Sequence, residues 1–81
     1  MYALIFDEET IRSLKRLEKE ISKRIFTKIQ TTKQNPHRYY KKLKDRSEYR
    51  LRVGDYRVFA DIDTRTITIL TIIHRKTAYN P

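Results

Sequence analysis

The apolar residues in the first third of the chain recur at helical spacing. They are Ile11, Leu14, Leu17, Ile21, Ile25 and Ile29, and Lys and Arg occupy many of the positions between them. Steps of three and four residues place these side chains on one stripe of a helix. A single helix continuing through Lys33 would be roughly 40 Å long at 1.5 Å per residue, which is too long for a compact domain of this size. The pattern therefore predicts two antiparallel helices with a break near residues 18–20.

Four other segments have the pattern of β-strands. Residues 2–6 form a short apolar run, and further runs follow at about residues 48–53, 56–62 and 66–74. The last run is apolar on both faces for part of its length, so it is expected inside the sheet. The order predicts a two-layer α+β domain with an N-terminal strand, an α-helical hairpin and a three-strand antiparallel meander. A chain of 81 residues is expected to form one domain, residues 1–81.

Gly54 and Asp55 separate the first two strands of the meander. A two-residue turn fixes the register of a hairpin. The expected cross-strand pairs are Val53 with Tyr56, Arg52 with Arg57, Leu51 with Val58, and Arg50 with Phe59. Alternation puts the three arginines and Phe59 on the sheet face that the helices leave open, where truncating Arg57 should leave no cavity. Because like charges directly opposite each other destabilise a strand pair, an anion is expected between Arg52 and Arg57. Guanidinium groups bind phosphate well, which indicates nucleic acid.

The charge of the chain supports a polyanionic partner. Nineteen Lys and Arg residues outnumber ten Asp and Glu residues, giving a formal net charge of +9. This imbalance favours nucleic acid or an acidic protein as partner over a membrane surface, because no segment combines a basic face with exposed aromatics. The segment from residue 33 to residue 46 is strongly basic, and Leu43 is expected to anchor it to the core. Its candidate RNA-binding residues are Lys41, Lys42, Lys44 and Arg46.

Several classes of protein and site are disfavoured by the composition. There is no cysteine, so disulfides and thiolate metal sites are excluded. His37 and His74 lack carboxylates at ligand spacing, and neither a metal nor another cofactor is expected. The N-terminus lacks the basic region of a signal peptide, and no apolar run approaches transmembrane length. A cytoplasmic protein is the resulting expectation.

Three segments taken together resemble RelE-type toxins of the RelE/ParE superfamily, found in bacterial and archaeal toxin–antitoxin pairs. They are residues 49–58 (YRLRVGDYRV), residues 74–79 (HRKTAY), and the approach from Asn35-Pro36 to Lys41-Lys42-Leu43. The resemblance covers nearly the whole chain and implies a RelE-like fold. It also implies a metal-independent ribonuclease that cuts messenger RNA in the ribosomal decoding site. In that reaction the ribose 2′-hydroxyl attacks the adjacent phosphate, leaving a cyclic phosphate and a 5′-hydroxyl.

The resemblance also implies partners and site residues. The partners are the messenger RNA, the ribosome with its 16S-type RNA, and a RelB-like antitoxin, with a toxin–antitoxin heterotetramer as one expected assembly. The implied catalytic residues are Arg50, Arg52, Arg57, Arg75 and Tyr79. Arg57 and Arg75 would neutralise transition-state charge, and Tyr79 would stack on a base or orient a phosphate oxygen.

The sequence does not decide which residue acts as the general base. This chain has arginine at positions 50 and 52, where the best-studied members have lysine, and arginine does not readily release a proton. His74 is one candidate, but strand alternation sets it opposite to Arg75 unless the strand ends between them, and it could instead be structural. Glu48 is another, although a salt bridge to Arg46 or Arg50 is the favoured interpretation.

Two other functions remain open on the sequence. A ParE-like toxin would share the fold and inhibit DNA gyrase without nuclease activity. An inactive nucleic-acid binder is the third interpretation, and the arginines at positions 50 and 52 keep it open. Retention of Arg57, Arg75 and Tyr79 favours the ribonuclease.

Overall fold

The computed structural model describes residues 1–78. The predicted N-terminal strand, two helices and three-strand meander are present in that order, together with several short elements that were not predicted. The strands are β1 (Ala3–Phe6), β2 (Lys41–Lys42), β3 (Tyr49–Val53), β4 (Tyr56–Ile62) and β5 (Thr66–His74). The helices are α1 (Glu8–Arg16), α2 (Lys19–Thr31), α3 (Pro36–Tyr39) and α4 (Arg75–Ala78). The strands form one sheet in the order β1-β5-β4-β3-β2, with β1 parallel to β5 and the other pairs antiparallel. The α+β fold is confirmed, and β5 is an interior strand.

The break between the first two helices lies at Leu17 and Glu18, one residue before the predicted position. Both residues leave the helical region, with ψ angles of 155° and 141°. Neither glycine nor proline causes this break, so packing decides it. α1 is tied to β5, where the buried Thr10 hydroxyl donates to the Ile69 carbonyl oxygen at 3.1 Å. α2 instead contacts β3, on the other side of β4.

The hydrophobic core lies between the helices and one face of the sheet. Its buried side chains are Ile25, Ile29, Tyr40, Leu51, Val53, Val58, Ala60, Ile67, Ile69 and Ile72. The predicted helical stripe contributes the first two, while Leu14, Leu17 and Ile21 pack at its margin. Ile11 and Phe26 remain exposed, so the stripe is only partly covered. None of the helices within residues 1–78 is long and apolar enough to cross a membrane.

The β3–β4 hairpin has the predicted register, and all four expected cross-strand pairs are present. The next pairing contains an irregularity that the sequence did not reveal. Phe59 lies opposite Thr71 but Ala60 lies opposite Ile69, so Leu70 is an extra residue in β5. Such a bulge shifts the alternation by one residue. As a result, His74 shares the helix-covered face with Tyr56, whereas Ile73 shares the other face with Arg57.

The segment between α2 and β3 is anchored to the core by Tyr40, and the prediction for Leu43 is wrong. Tyr40 is buried, and its hydroxyl shares a hydrogen bond of 3.3 Å with the Thr32 hydroxyl. Burial raises the pKa of the Tyr40 hydroxyl. Leu43 is half-buried and borders a cavity on the sheet face that α1 and α2 leave open.

Candidate functional site

Arg57 lies on β4, the middle strand, and on the sheet face opposite to α1 and α2. The residue is only 6% exposed. Its Nη1 donates to the carbonyl oxygens of Gly54 and Tyr56, at 3.2 and 3.0 Å. Its buried Nε has no hydrogen-bond partner among residues 1–78. The guanidinium is therefore fixed by the adjacent turn while one of its donors remains unsatisfied.

A cavity of about 270 Å³ adjoins this guanidinium. We call it the Arg57 cavity, and its lining residues are Leu43, Lys44, Asp45, Arg46, Arg50, Arg57 and Phe59. Four of these carry positive charge and one carries negative charge. The arrangement suits an anion with an attached planar or apolar group, because cations and the half-buried Phe59 ring meet in one space.

The expectation that Arg57 stands on an open face is wrong, although the face itself was assigned correctly. The loop of residues 43–46 borders the same cavity and neighbouring groups cover the side chain, which sequence alternation cannot show. Truncation of Arg57 to alanine would therefore remove buried volume, and such changes carry a cavity cost. A replacement of similar volume is the better test of its charge.

The three arginines expected around Phe59 on one sheet face are divided between two places. Arg52 and Arg57 are directly opposite each other in the ladder. However, Arg57 bonds to the turn carbonyls, whereas the exposed Arg52 lines a separate cavity beside α2. Like charges repel, and this divergence relieves the repulsion without an anion between them. Arg50 is half-buried and stays with Arg57, lining the same cavity.

Arg75 approaches the hairpin turn from the end of β5. Its backbone N–H donates to the Asp55 carbonyl oxygen at 2.7 Å, and its Nε lies 3.7 Å from Asp55 Oδ1. The Gly54–Asp55 turn therefore contacts both Arg57 and Arg75, through adjacent residues. Arg75 does not line the Arg57 cavity, so its catalytic role stays a prediction.

The candidate bases lie in different environments. His74 closes β5, packs edge-on against Tyr56 at 5.1 Å between ring centroids, and accepts a hydrogen bond at Nδ1 from the Lys76 N–H at 3.2 Å. It lies on the opposite sheet face from Arg57. Glu48 Oε1 lies 3.7 Å from Arg46 Nη1, which confirms the interpretation as a salt bridge. Tyr79 lies outside the described residues.

The predicted RNA-binding residues also lie in two different places. Lys44 and Arg46 line the Arg57 cavity, whereas Lys41 and Lys42 form the exposed strand β2, paired with Arg50 and Tyr49. Phe59 and Asp45 were not among the predicted site residues. The alternation that put Phe59 beside the arginines was a usable signal, but the position of Asp45 depends on how the loop folds. Residues 1–78 contain no group of three His, Cys, Asp or Glu side chains suited to hold a metal ion.

The family of the chain follows from comparison with known proteins. A family model described as the ParE toxin of the type II toxin–antitoxin system parDE matches residues 4–79. No curated protein sequence matches the chain. The chain belongs to the ParE toxin family, within the RelE/ParE superfamily of type II toxin–antitoxin toxins.

Solved structures agree with this assignment. The chain is similar to a protein in the toxin–antitoxin complex RelBE2 from Mycobacterium tuberculosis, with 26% identity, a TM-score of 0.83, and coverage of 91% of this chain and 98% of that one. It is similar to a chain of the RelB–RelE antitoxin–toxin complex from Methanococcus jannaschii, with 31% identity, a TM-score of 0.72, and coverage of 93% and 94%. A chain of the heterotetrameric YoeB–YefM complex from Staphylococcus aureus shares the fold, with 18% identity, a TM-score of 0.69, and coverage of 88% and 93%.

Proposed function

We propose that this toxin is a ribosome-dependent endoribonuclease that cleaves messenger RNA in the decoding site and so inhibits translation. The observation that carries the proposal is the Arg57 guanidinium, which two carbonyl oxygens fix beside a cavity lined by three further cations. Guanidinium groups bind phosphate through paired hydrogen bonds. The Arg57 cavity therefore suits a phosphate of the RNA backbone.

The reaction makes three demands on the protein. The 2′-hydroxyl and the leaving oxygen must be in line with the phosphorus, the added negative charge must be neutralised, and protons must leave the nucleophile and reach the leaving group. Fixed donors stabilise such charge best because they need no rearrangement during the reaction. Arg57 meets this demand directly, Arg50 adds charge beside it, and Arg75 is proposed to complete the set with Arg52 from the β3 edge.

Proton transfer is assigned to groups other than the arginines. His74, which ends β5, is one proposed candidate for the base. Glu48 is the second candidate, and its Arg46 contact would have to open for it to act. Tyr79 is proposed to stack on a base or to orient a phosphate oxygen. Lys41, Lys42, Lys44 and Arg46 are proposed to hold the RNA backbone, with the two from the loop closest to the scissile phosphate.

The proposed partner in the absence of RNA is a RelB-like antitoxin encoded with the toxin. The M. tuberculosis and M. jannaschii neighbours were both solved in toxin–antitoxin complexes, and the S. aureus neighbour in a heterotetramer. A net charge of +9 favours an acidic antitoxin whose carboxylates reach the basic face. A target on the ribosome places the toxin in the cytoplasm.

Mapping of messenger RNA ends after induced expression tests the proposal. We expect new 5′ ends within codons for the parent protein and about a hundredfold slower cleavage for Arg57→Met, because loss of one such contact is worth on the order of 3 kcal/mol. Methionine retains much of the buried volume but no donor. Arg12→Met is the matched control, since it removes the same charge from an exposed site on α1.

The control should cleave like the parent, and thermal unfolding should show both variants folded. Equal cleavage by parent and Arg57→Met would refute the assignment of Arg57 to catalysis. Intact messages in the parent would refute the ribonuclease proposal itself.

The second candidate function is inhibition of DNA gyrase, which the ParE description of the matching family model favours. A gyrase inhibitor would leave messenger RNA intact while replication stops. Assay of supercoiling by purified gyrase, beside the mapping of message ends in the same cells, separates the two functions. Toxicity with neither effect would support the inactive-enzyme interpretation, in which the protein acts only by binding.

A further inference from the structure

A second basic surface lies beside residues 51–53 of β3, the part of the strand that does not pair with β2, where the strand adjoins α2. Two cavities of about 590 and 310 Å³ meet there, and both are lined by Lys28 and Arg52. We call them together the α2–β3 groove. Its other cations include Lys23 and Arg24 at one end and Arg38 and Lys41 at the other. One carboxylate, that of Glu20, is among the lining residues.

One face of α2 forms the wall of this groove. The lining residues of α2 lie at positions 20, 23, 24, 27, 28 and 31, whereas the core residues Ile21, Ile25 and Ile29 lie between them. These positions recur at three and four residues, so their side chains form one continuous row along the helix. The row consists of cations and two threonine hydroxyls after the initial glutamate. It offers positive charge and hydrogen-bonding groups along its length.

The Arg24 guanidinium lies over the hairpin turn at the mouth of the groove. The Nη1, Cζ and Nη2 atoms of its guanidinium lie 3.2, 3.3 and 3.3 Å from the position that a Cβ on Gly54 would occupy. Three nearly equal distances indicate a guanidinium packed flat over the glycine. A Cβ at position 54 would crowd the guanidinium by a few tenths of an ångström, so glycine lets the charge of Arg24 lie close to the turn.

The cations of the groove have no carboxylate partners among the described residues. Salt bridges within residues 1–78 involve Arg12, Arg46 and Arg75, none of which lies in the groove. Lys28 lies over the Tyr39 ring, with its Nζ 4.9 Å from the ring centroid. Unpaired cations along a groove raise the local concentration of a polyanion and accelerate its association.

We infer that the α2–β3 groove binds the phosphodiester backbone of a single-stranded polynucleotide. A phosphate backbone needs cations and hydroxyl groups but little apolar contact. Protein partners usually anchor through a few large side chains, such as Trp and Tyr, in well-packed pockets. The exposed large apolar residues of the described chain, Met1, Ile5, Ile11 and Phe26, lie outside the groove. This distribution favours a nucleic acid over an acidic peptide.

The groove is separate from the Arg57 cavity but adjoins it through Arg50, which lines both. A polynucleotide bound in the groove is thereby directed past Arg50 towards Arg57. The inference extends the proposed function by adding a binding site for the flanking RNA. It does not depend on cleavage, since backbone binding is measurable with a substrate that cannot be cut.

Fluorescence anisotropy with labelled 12-nucleotide probes tests the groove. The probes are a 2′-O-methyl RNA, which lacks the attacking hydroxyl, and a DNA of the same sequence, and a polyglutamate peptide is the protein probe. The groove variant carries Lys23→Gln, Arg24→Gln and Lys28→Gln. The control variant carries Lys15→Gln, Arg16→Gln and Lys19→Gln, which are exposed and lie outside the groove. Both variants lose three charges, so net charge is matched.

We expect the groove variant to bind both oligonucleotides at least roughly tenfold more weakly than the control variant does. A plot of the logarithm of the association constant against the logarithm of salt concentration should be shallower by about 2 for the groove variant than for the parent. Each of three lost phosphate contacts contributes roughly 0.7 to this slope for single strands. Preference for one oligonucleotide identifies RNA or DNA as the source of the backbone. Equal losses in the two variants would show an effect of net charge alone and overturn the inference. Tighter binding of polyglutamate, lost in the groove variant, would overturn it in favour of an acidic protein.

The two proposals fail separately. If the parent protein leaves messenger RNA intact while the groove variant still binds oligonucleotides more weakly than the control variant, the ribonuclease proposal alone is refuted. If the parent protein cleaves messenger RNA while the groove and control variants lose affinity equally, the groove inference alone is refuted.

Discussion

Gly54 combines two requirements in one residue. It has a φ of +58°, and the guanidinium of Arg24 lies against it. A left-handed φ strains residues that carry a Cβ, and a Cβ at this position would also press on Arg24. The residue therefore sets the hairpin register and positions a groove cation at the same time.

Gly54→Ala should lower the free energy of unfolding by about 1–3 kcal/mol, because it adds backbone strain and displaces Arg24. The double variant Arg24→Ala/Gly54→Ala separates these causes by a double-mutant cycle in urea denaturation. The alanine at position 54 should cost less when Arg24 is absent. Equal costs in both backgrounds would mean that the Arg24 contact carries no energy.

The α4 element depends on contacts at its first residues. The Lys76 N–H donates to His74 Nδ1, and the Arg75 N–H donates to the carbonyl oxygen of Asp55. The first N–H groups of a helix have no partners within the helix, so these acceptors stabilise its beginning. His74 thus positions the segment that carries Arg75, and this role requires an acceptor rather than a titrating base.

The variants His74→Ala and His74→Asn distinguish the two roles of this histidine. Asparagine accepts hydrogen bonds from helix N–H groups, so it should restore most of the cleavage lost in the alanine variant. His74→Ala should lose severalfold in rate, less than Arg57→Met. The measurement is cleavage of messenger RNA, together with hydrogen exchange of the Lys76 amide. Asparagine as inactive as alanine, with normal Lys76 protection, would instead identify His74 as the base.

At the scale of the whole molecule, positive charge is concentrated along the β3 edge and around the Arg57 cavity. Both surfaces are rich in unpaired cations within the described chain, and the net charge is +9. Complementary charge mainly accelerates association and is screened by salt over about 10 Å at 0.1 M. The proposed acidic antitoxin should therefore be captured by long-range attraction before close contacts form.

The association rate constant with the antitoxin should fall by about tenfold or more between 0.05 and 0.5 M salt, because steering depends on ionic strength. Stopped-flow fluorescence measures this rate, and the dissociation rate constant should change much less. The control variant with three charges removed from Lys15, Arg16 and Lys19 should keep most of the steering. A salt-independent association rate would contradict a charge-guided complex.

Local rules determined much of the fold from the sequence. Helical periodicity identified α1 and α2, and the two-residue turn at Gly54 and Asp55 fixed the register of β3 and β4, as the structure confirms. These features depend on neighbouring residues, whose spacing a sequence states directly. The same alternation assigned Arg57 to the correct face of the sheet.

Tertiary structure alone decided which of these residues share an environment. The bulge at Leu70 set the face of His74, the fold of residues 43–46 brought Lys44 and Arg46 to the Arg57 cavity, and the position of α2 left Arg52 lining a separate groove. Each depends on contacts between segments distant in the chain. Periodicity within one segment contains no information about such contacts, so the candidate residues could be named from the sequence but their grouping could not.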